Sequence, residues 1–269
     1  MTLLQLKLNT KSTLIWTSLL VGFIVLFMAV YPSMANESMQ LLIDGKLEGL
    51  PPALLSIVGF DSIPDFTDIR VYYGYIMQYM NIALAIFSLS LGLSSFLQEE
   101  IDKTIEFLFA QPISRKELIL DKLKANTLIV VTAVTMIILA GTLSFYLYKP
   151  NDIQLISLLK DSLPLFLSYY VIAFIFLLLG SGLSLLLKPG SKAVSVSMAI
   201  VFSSYFIGIM SEMTEVLLPL KSLSLLHGLF PADLYANDFG GYSVLIWTII
   251  SISFFVFGFK KFFTRDILV

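Results

Sequence analysis

The chain alternates long uncharged runs with shorter stretches in which charges gather. Six runs contain no Asp, Glu, Lys, Arg or His: 13–31, 72–97, 127–148, 163–187, 193–210 and 242–259. A bilayer core about 30 Å thick takes about 20 mostly apolar residues as helix, so each run predicts a membrane-spanning helix. These helices are apolar on every side, and their periodicity does not show which face meets protein. Between the first two lies a loop, 32–70, rich in Asp and Glu and broken by Pro51, Pro52 and Pro64. Within it, 39–50 and 53–60 read as short helices on the membrane surface. The segment 211–241 mixes apolar runs with Pro219, Gly228 and Pro231. It is too interrupted to span and reads as interfacial or re-entrant helix. The predicted fold is an all-α membrane protein with six spans, in one domain covering 1–269.

One stretch departs from the pattern: QEEIDKTIEFLFAQPISRKELILDKLKAN, residues 98–126, between the second and third spans. Ile101, Ile105, Leu108 and Phe109 recur at helical steps and form an apolar face. Glu99, Glu100, Asp102, Lys103 and Glu106 lie largely elsewhere. Pro112 ends that helix, because proline lacks the N–H and disfavours helix in the residue before it. Ser114 then caps a second helix, with Glu117 at the capping-box spacing. The pattern is helix, sharp break, helix, feeding the third span. A featureless solvated loop needs neither the amphipathic face nor the break, so the stretch reads as a docking element.

Composition sets the class. The chain is 57% hydrophobic and 13% charged, with mean hydropathy +0.89, whereas soluble domains carry about 25% charged residues. Lipid is therefore the solvent. A net charge of −2 gives no reason to expect nucleic acid, and there is no cysteine for disulfide or thiolate chemistry. The first run follows Lys7 and Lys11 and precedes Ser33, Met34 and Ala35, yet it exceeds the ~7–15 residues of a signal-peptide core, so it reads as a retained span. Lysines and arginines give the orientation. With both termini inside the cell, five lie outside (Lys46, Arg70, Lys149, Lys160 and Lys221) and the other twelve inside. This places 98–126 in the cytoplasm and the protein in the cell membrane. Ahead of the first span, Leu3, Leu4, Leu6 and Leu8 with Lys7 and Lys11 read as an elbow helix along the inner leaflet.

The spans are only mildly polar. Their Ser and Thr side chains read mainly as bonds between helices. Gln78 and Asn81 share a face of the second span and are the candidates for a substrate pathway. Tyr72, Tyr73, Tyr75 and Tyr79 crowd the outer end of that span. They read as an aromatic belt at the interface, with a lining for amphipathic cargo as the alternative. His227, the lone histidine, has no ligand cluster beside it, so no metal site is expected.

Around the docking element the sequence resembles the ABC-2 family of ATP-binding-cassette transporter permeases. Glu99-Glu100, Thr104, Glu106, Leu108, Ala110, Pro112-Ile113-Ser114-Arg115 and Lys122 fit the family's cytoplasmic pattern. Lys103 and Asp121 stand where glycine is usual. The six spans, large first outer loop and interfacial segment before the last span agree in layout. The resemblance implies a coupling helix seated in a cleft of a separate cytoplasmic ATPase. Glu99, Ile101, Thr104, Ile105, Glu106, Leu108, Pro112, Ser114 and Arg115 are then its contact residues. It also implies two ATPase subunits that hold ATP and Mg, a second permease as homodimer or heterodimer, and no cofactor or catalysis on this chain. No G-x-x-x-x-G-K-[ST] phosphate loop occurs. The expected function is export of an amphipathic substrate, such as an antimicrobial peptide, a lipid-like molecule or a drug. Two other readings stand beside it. An ion-coupled secondary transporter or channel would call for ionisable residues within the spans. A non-transporting scaffold would hold an ATPase without moving cargo.

Overall fold

A computed structural model describes residues 2–51, 55, 64–101, 114–149, 154–187, 191–212, 215–235 and 239–264. Eight α-helices form among them: α1 (Thr2–Met34), α2 (Glu37–Leu47), α3 (Ile69–Ile101), α4 (Arg115–Tyr148), α5 (Leu155–Ser184), α6 (Ala193–Glu212), α7 (Pro231–Tyr235) and α8 (Gly241–Thr264). Two 3-10 helices, Glu215–Leu223 and His227–Leu229, precede α7, and the described residues contain no strand. Six helices are long and apolar enough to cross a membrane: α1, α3, α4, α5, α6 and α8. One end of the bundle therefore carries both termini and the α3–α4 and α5–α6 connections. The other carries α2, the α4–α5 connection and the 3-10 segments. They are called here the termini end and the loop end.

The six predicted runs fall inside these six helices, with the fourth ending earlier, at Ser184. Several helices extend well past the apolar runs. α1 is one unbroken helix of 33 residues, about 50 Å at ~1.5 Å per residue, so the expected elbow does not interrupt its hydrogen bonding. The first loop helix runs over Glu37–Leu47, slightly earlier than expected, because Asn36 caps it by accepting a hydrogen bond from the Ser38 N–H. The second, 53–60, lies outside the described residues apart from Leu55. Within the interrupted segment, Glu215–Leu223 and His227–Leu229 wind as 3-10 turns and Pro231–Tyr235 as a short α-helix, none long enough to span.

Burial ranks the helices. α3 is enclosed along nearly all its length, while α1 and α8 expose most of theirs. α3 packs chiefly on α5 and then on α6, α1 packs on α4, and α8 packs on α5. Small residues permit the closest approaches. A methyl group on Gly92 would overlap the Leu177 carbonyl oxygen, and one on Gly180 the Leu89 carbonyl oxygen. Likewise, Gly182 meets the α8 backbone at Phe254 and Phe255, and Gly258 meets the Gly182 carbonyl. Lipid tails are as apolar as leucine, so helices associate in a membrane by close packing and hydrogen bonds. Buried serines add little between helices, because most bond within their own turn. Ser90 donates to the Phe87 carbonyl, Ser181 to Leu177 and Ser184 to Ser181.

Two of the four tyrosines expected in an interfacial belt, Tyr72 and Tyr73, are interior, while Tyr75 and Tyr79 are half-buried. Tyr72 is buried and donates to the Phe27 carbonyl of α1 at 2.8 Å, and Tyr73 stacks on Phe145 of α4 with centroids 4.8 Å apart. They face inward because α3 is central and neighbouring helices cover its end.

Replacing Gly180 by Val is expected to force α3 and α5 apart, at a cost of about 1–3 kcal/mol or more for overpacking. Gly22→Ala, at a position open to its surroundings, serves as the neutral control. Thermal unfolding of the two purified variants in detergent checks this, with a lowered midpoint expected for the valine variant alone.

Candidate functional site at the termini end

The second half of the charged stretch forms as its residue types require. Ser114 accepts from the Glu117 N–H at 3.2 Å, and the Glu117 carboxylate accepts from the Ser114 N–H at 3.1 Å. This reciprocal capping box satisfies backbone donors that the first turn leaves without helical partners. From that cap α4 runs unbroken to Tyr148. The second helix of the stretch and the third span are therefore one rod.

Two cations fasten the base of this rod. Arg115, in its first turn, donates through Nη1 to the carbonyls of Phe262 and Phe263 at 3.1 and 3.3 Å, and its guanidinium lies 5.9 Å from the Phe262 ring. Those carbonyls lie in the last described turn of α8, toward the negative end of the helix dipole, where a cation is favoured. Lys122, two turns further along, is 3% exposed. Its ammonium donates to the Ser95 carbonyl of α3 and sits 4.2 Å from the centroid of Phe96. A buried ammonium is costly unless hydrogen-bonded, and the carbonyl and the ring face, a cation–π partner, both contribute to meeting that need.

Asn126, one turn beyond Lys122, is fully buried and donates to Ser95 Oγ at 2.6 Å. Ser95 donates in turn to the Leu91 carbonyl, and Asn9 of α1 donates to Asn126 Oδ1 at 3.3 Å. The chain of polar groups thus joins α1, α3 and α4. Around it Phe96, Leu118, Ile119, Leu185 and Phe262 form a small apolar cluster of their own, supplied by α3, α4, the end of α5 and α8. Five of the six spans meet at this end.

The other expected site residues divide into three groups. Thr104, Ile105, Glu106, Leu108 and Pro112 lie outside the described residues. Glu99 and Ile101 fall in the last turn of α3, where side-chain placement is likewise outside the description. Gln78 and Asn81 are buried in mid-α3, 6% and 3% exposed, far along the chain from the Ser95–Lys122 cluster. Gln78 Nε2 and Asn81 Oδ1 lack hydrogen-bond partners among the described residues, as do Ser88 Oγ of α3 and Ser204 Oγ of α6. Three of these four residues are on α3, whose buried side thus carries polar atoms without a partner among the described residues.

At the loop end, Tyr72, Tyr75 and Tyr79 line an apolar pocket of about 430 Å³ between α1 and α3, with Leu26, Phe27, Val30 and Met80 among its walls. His227 is fully buried, edge-on to Phe230 at 4.1 Å and close against Gly208 of α6. Among the described residues no group of three His, Asp or Glu is placed to hold a metal ion.

The roles of Asn9, Ser95, Phe96 and Asn126 escaped the sequence reading. One signal was present: Lys122 and Asn126 stand four apart, on one face of a helix about to enter the membrane, where a polar face needs partners.

Lys122→Met keeps the apolar stem and removes the ammonium, leaving the Ser95 carbonyl without that donor. A hydrogen bond from a charged group contributes about 1.5–3 kcal/mol, so a clear fall in thermal midpoint is expected. Lys124→Met, whose side chain is 68% exposed, is expected to leave the midpoint unchanged.

The family described as "ABC-2 family transporter protein" matches residues 6–266. No significant match to a curated protein accompanies it. Nearly the whole chain is covered, the fold is helical, and six helices are of membrane-crossing length. The chain belongs to the ABC-2 transporter family and is a multi-pass membrane permease subunit of that class.

Proposed function

We propose that this permease exports an amphipathic substrate across the cell membrane, driven by ATP hydrolysis on a separate cytoplasmic ATPase. The family implies an ABC ATPase partner and dimerisation of the membrane subunits in general. In the proposed assembly the chain is a single membrane domain, both termini are cytoplasmic, and two permease chains meet two ATPases. ATP and Mg reside on the ATPases, and this chain binds no cofactor and catalyses no reaction. The cargo is an antimicrobial peptide, a lipid-like molecule or a drug.

One observation carries the reading: α4 is continuous from the Ser114 cap to the far side of the bundle, and Lys122 and Asn126 bind its base to α3. The segment 98–126 carries the proposed coupling element. Its apolar residues Ile101, Ile105 and Leu108 bury against the ATPase, while Glu99, Thr104, Glu106 and Pro112 shape and orient it. The helices leaving it on either side move together, because their bases are joined. Arg115 passes the same displacement to α8. Rim charges at the ATPase surface add only about 0–1 kcal/mol each when exposed, so the apolar residues supply most of the affinity.

The path through the membrane is proposed to follow Gln78 and Asn81, buried polar residues of α3, each with an amide atom that lacks a hydrogen-bond partner among the described residues. The pocket lined by Tyr72, Tyr75 and Tyr79 favours cargo with a substantial apolar part. A carrier driven by an ion gradient fits less well, since the six apolar runs hold no ionisable residue.

Two measurements test the reading. Ile105→Asp with Leu108→Asp is expected to abolish co-purification of the ATPase, and undiminished recovery overturns the docking role. In intact cells Lys116, exposed in the first turn of α4, is expected to resist a membrane-impermeant amine reagent and to react after permeabilisation. Labelling before permeabilisation overturns the orientation.

A further inference from the structure

At the loop end, away from the coupling region, α3, α5 and α7 enclose a second pocket of about 420 Å³. It is lined by Asp68, Arg70, Val71, Lys160, Asp161, Pro164, Leu234 and Tyr235. We propose that this pocket binds the head group of a zwitterionic phospholipid, one carrying a phosphate and a primary ammonium.

The lining holds two cations and two carboxylates, so its formal charge is zero, which suits a neutral zwitterion better than a net anion. Arg70 is only partly committed. Its Nη2 lies 3.2 Å from Asp161 Oδ2, whereas its Nε is buried with no hydrogen-bond partner among the described residues. The Arg70 guanidinium, half-exposed at the pocket wall, and the exposed ammonium of Lys160 are the donors for a phosphate. The acceptors for an ammonium are the carboxylates of Asp161 and Asp68, the latter already taking the Arg70 N–H through Oδ1 at 2.8 Å. Pro164 adds another, because it has no N–H to give the Lys160 carbonyl, its partner four residues back. Tyr235 closes the floor, its phenol 3.5 Å from Ser162 Oγ. Burial raises the pKa of that phenol, and Arg70, Asp161 and Asp68 all act on it, as groups around one small space do.

Position selects a lipid over a soluble zwitterion. Arg70 and Lys160 stand where α3 and α5 begin their apolar lengths, at the level of the head groups. Further along α5 toward the membrane interior, Leu163 and Leu167 are exposed at a four-residue step, and Val71 of the pocket lining is exposed too. A head group in the pocket leaves its acyl chains against this ridge. The site is assigned independently of the cargo, and the following test does not involve transport.

Purified full-length protein is titrated with phosphatidylethanolamine, phosphatidylglycerol and soluble phosphoethanolamine, and retained adducts are read by native mass spectrometry. Phosphatidylethanolamine is expected to bind about tenfold more tightly than phosphatidylglycerol, the ratio produced by one favourable charge contact. Lys160→Gln with Asp161→Asn is expected to erase that preference. Val71→Trp, which fills the pocket without altering charge, is expected to weaken phosphatidylethanolamine similarly, so the test survives if the charge variant fails to fold. Equal affinity for the two lipids, or an unchanged preference in both variants, overturns the site. Soluble phosphoethanolamine binding as tightly as the lipid overturns the part given to the ridge.

Discussion

The bundle depends on the contact of α3 with α5 at Gly92 and Gly180, where each helix presses against the other's backbone. A membrane offers no gain for hiding one leucine from lipid with another, so surface fit and polar bonds must supply the attraction. Glycines at facing positions let the two backbones approach and bring every neighbouring side chain within dispersion range. The phenol of Tyr169 on α5 accordingly reaches the Met77 carbonyl of α3 at 2.7 Å. With α5 seated this closely, α3 occupies the centre, and α1, α4, α6 and α8 are arranged around the pair. The centrality of α3 then explains why Tyr72 and Tyr73 are inside and why Gln78 and Asn81 are buried.

The two ends of the bundle are held by different physics. At the loop end, aromatic stacking, a few tyrosine hydroxyls and 3-10 turns close the structure, with Trp247 donating to the Leu223 carbonyl at 2.9 Å. At the termini end the fasteners are cations placed on backbone carbonyls. This arrangement gives the end of the bundle that faces the proposed motor a firm base, while the pocket near Tyr75 and Tyr79 remains open at the other end.

Much of this was legible from residue order alone. The six apolar runs announced the spans, and Ser114 with Glu117 announced the start of α4, because both signals are local. Long-range information was not legible. Uniformly apolar helices carry no periodic mark of their inner face, so nothing in the run 72–97 singled out α3 as the central helix. Tyr72 and Tyr73 read as interfacial because their position along the span suits a belt, and only the neighbours contributed by α1 and α4 turn them inward. Arg115 and Lys122 matched a family pattern as charges near a docking surface. Their actual bonds, to α8 and α3, join residues 147 and 27 positions apart, a distance no local pattern encodes.

The attachment of Arg115 has a consequence for α8. That helix is gripped at two points: Gly258 lies on the Gly182 carbonyl, and one turn later Phe262 offers its own carbonyl to Arg115. At ~3.6 residues per turn, adding a single amino acid between them would swing the second point about 100° around the axis. The spacing of these two positions is therefore a ruler. An insertion between Gly258 and Phe262 therefore costs the helix one grip or the other.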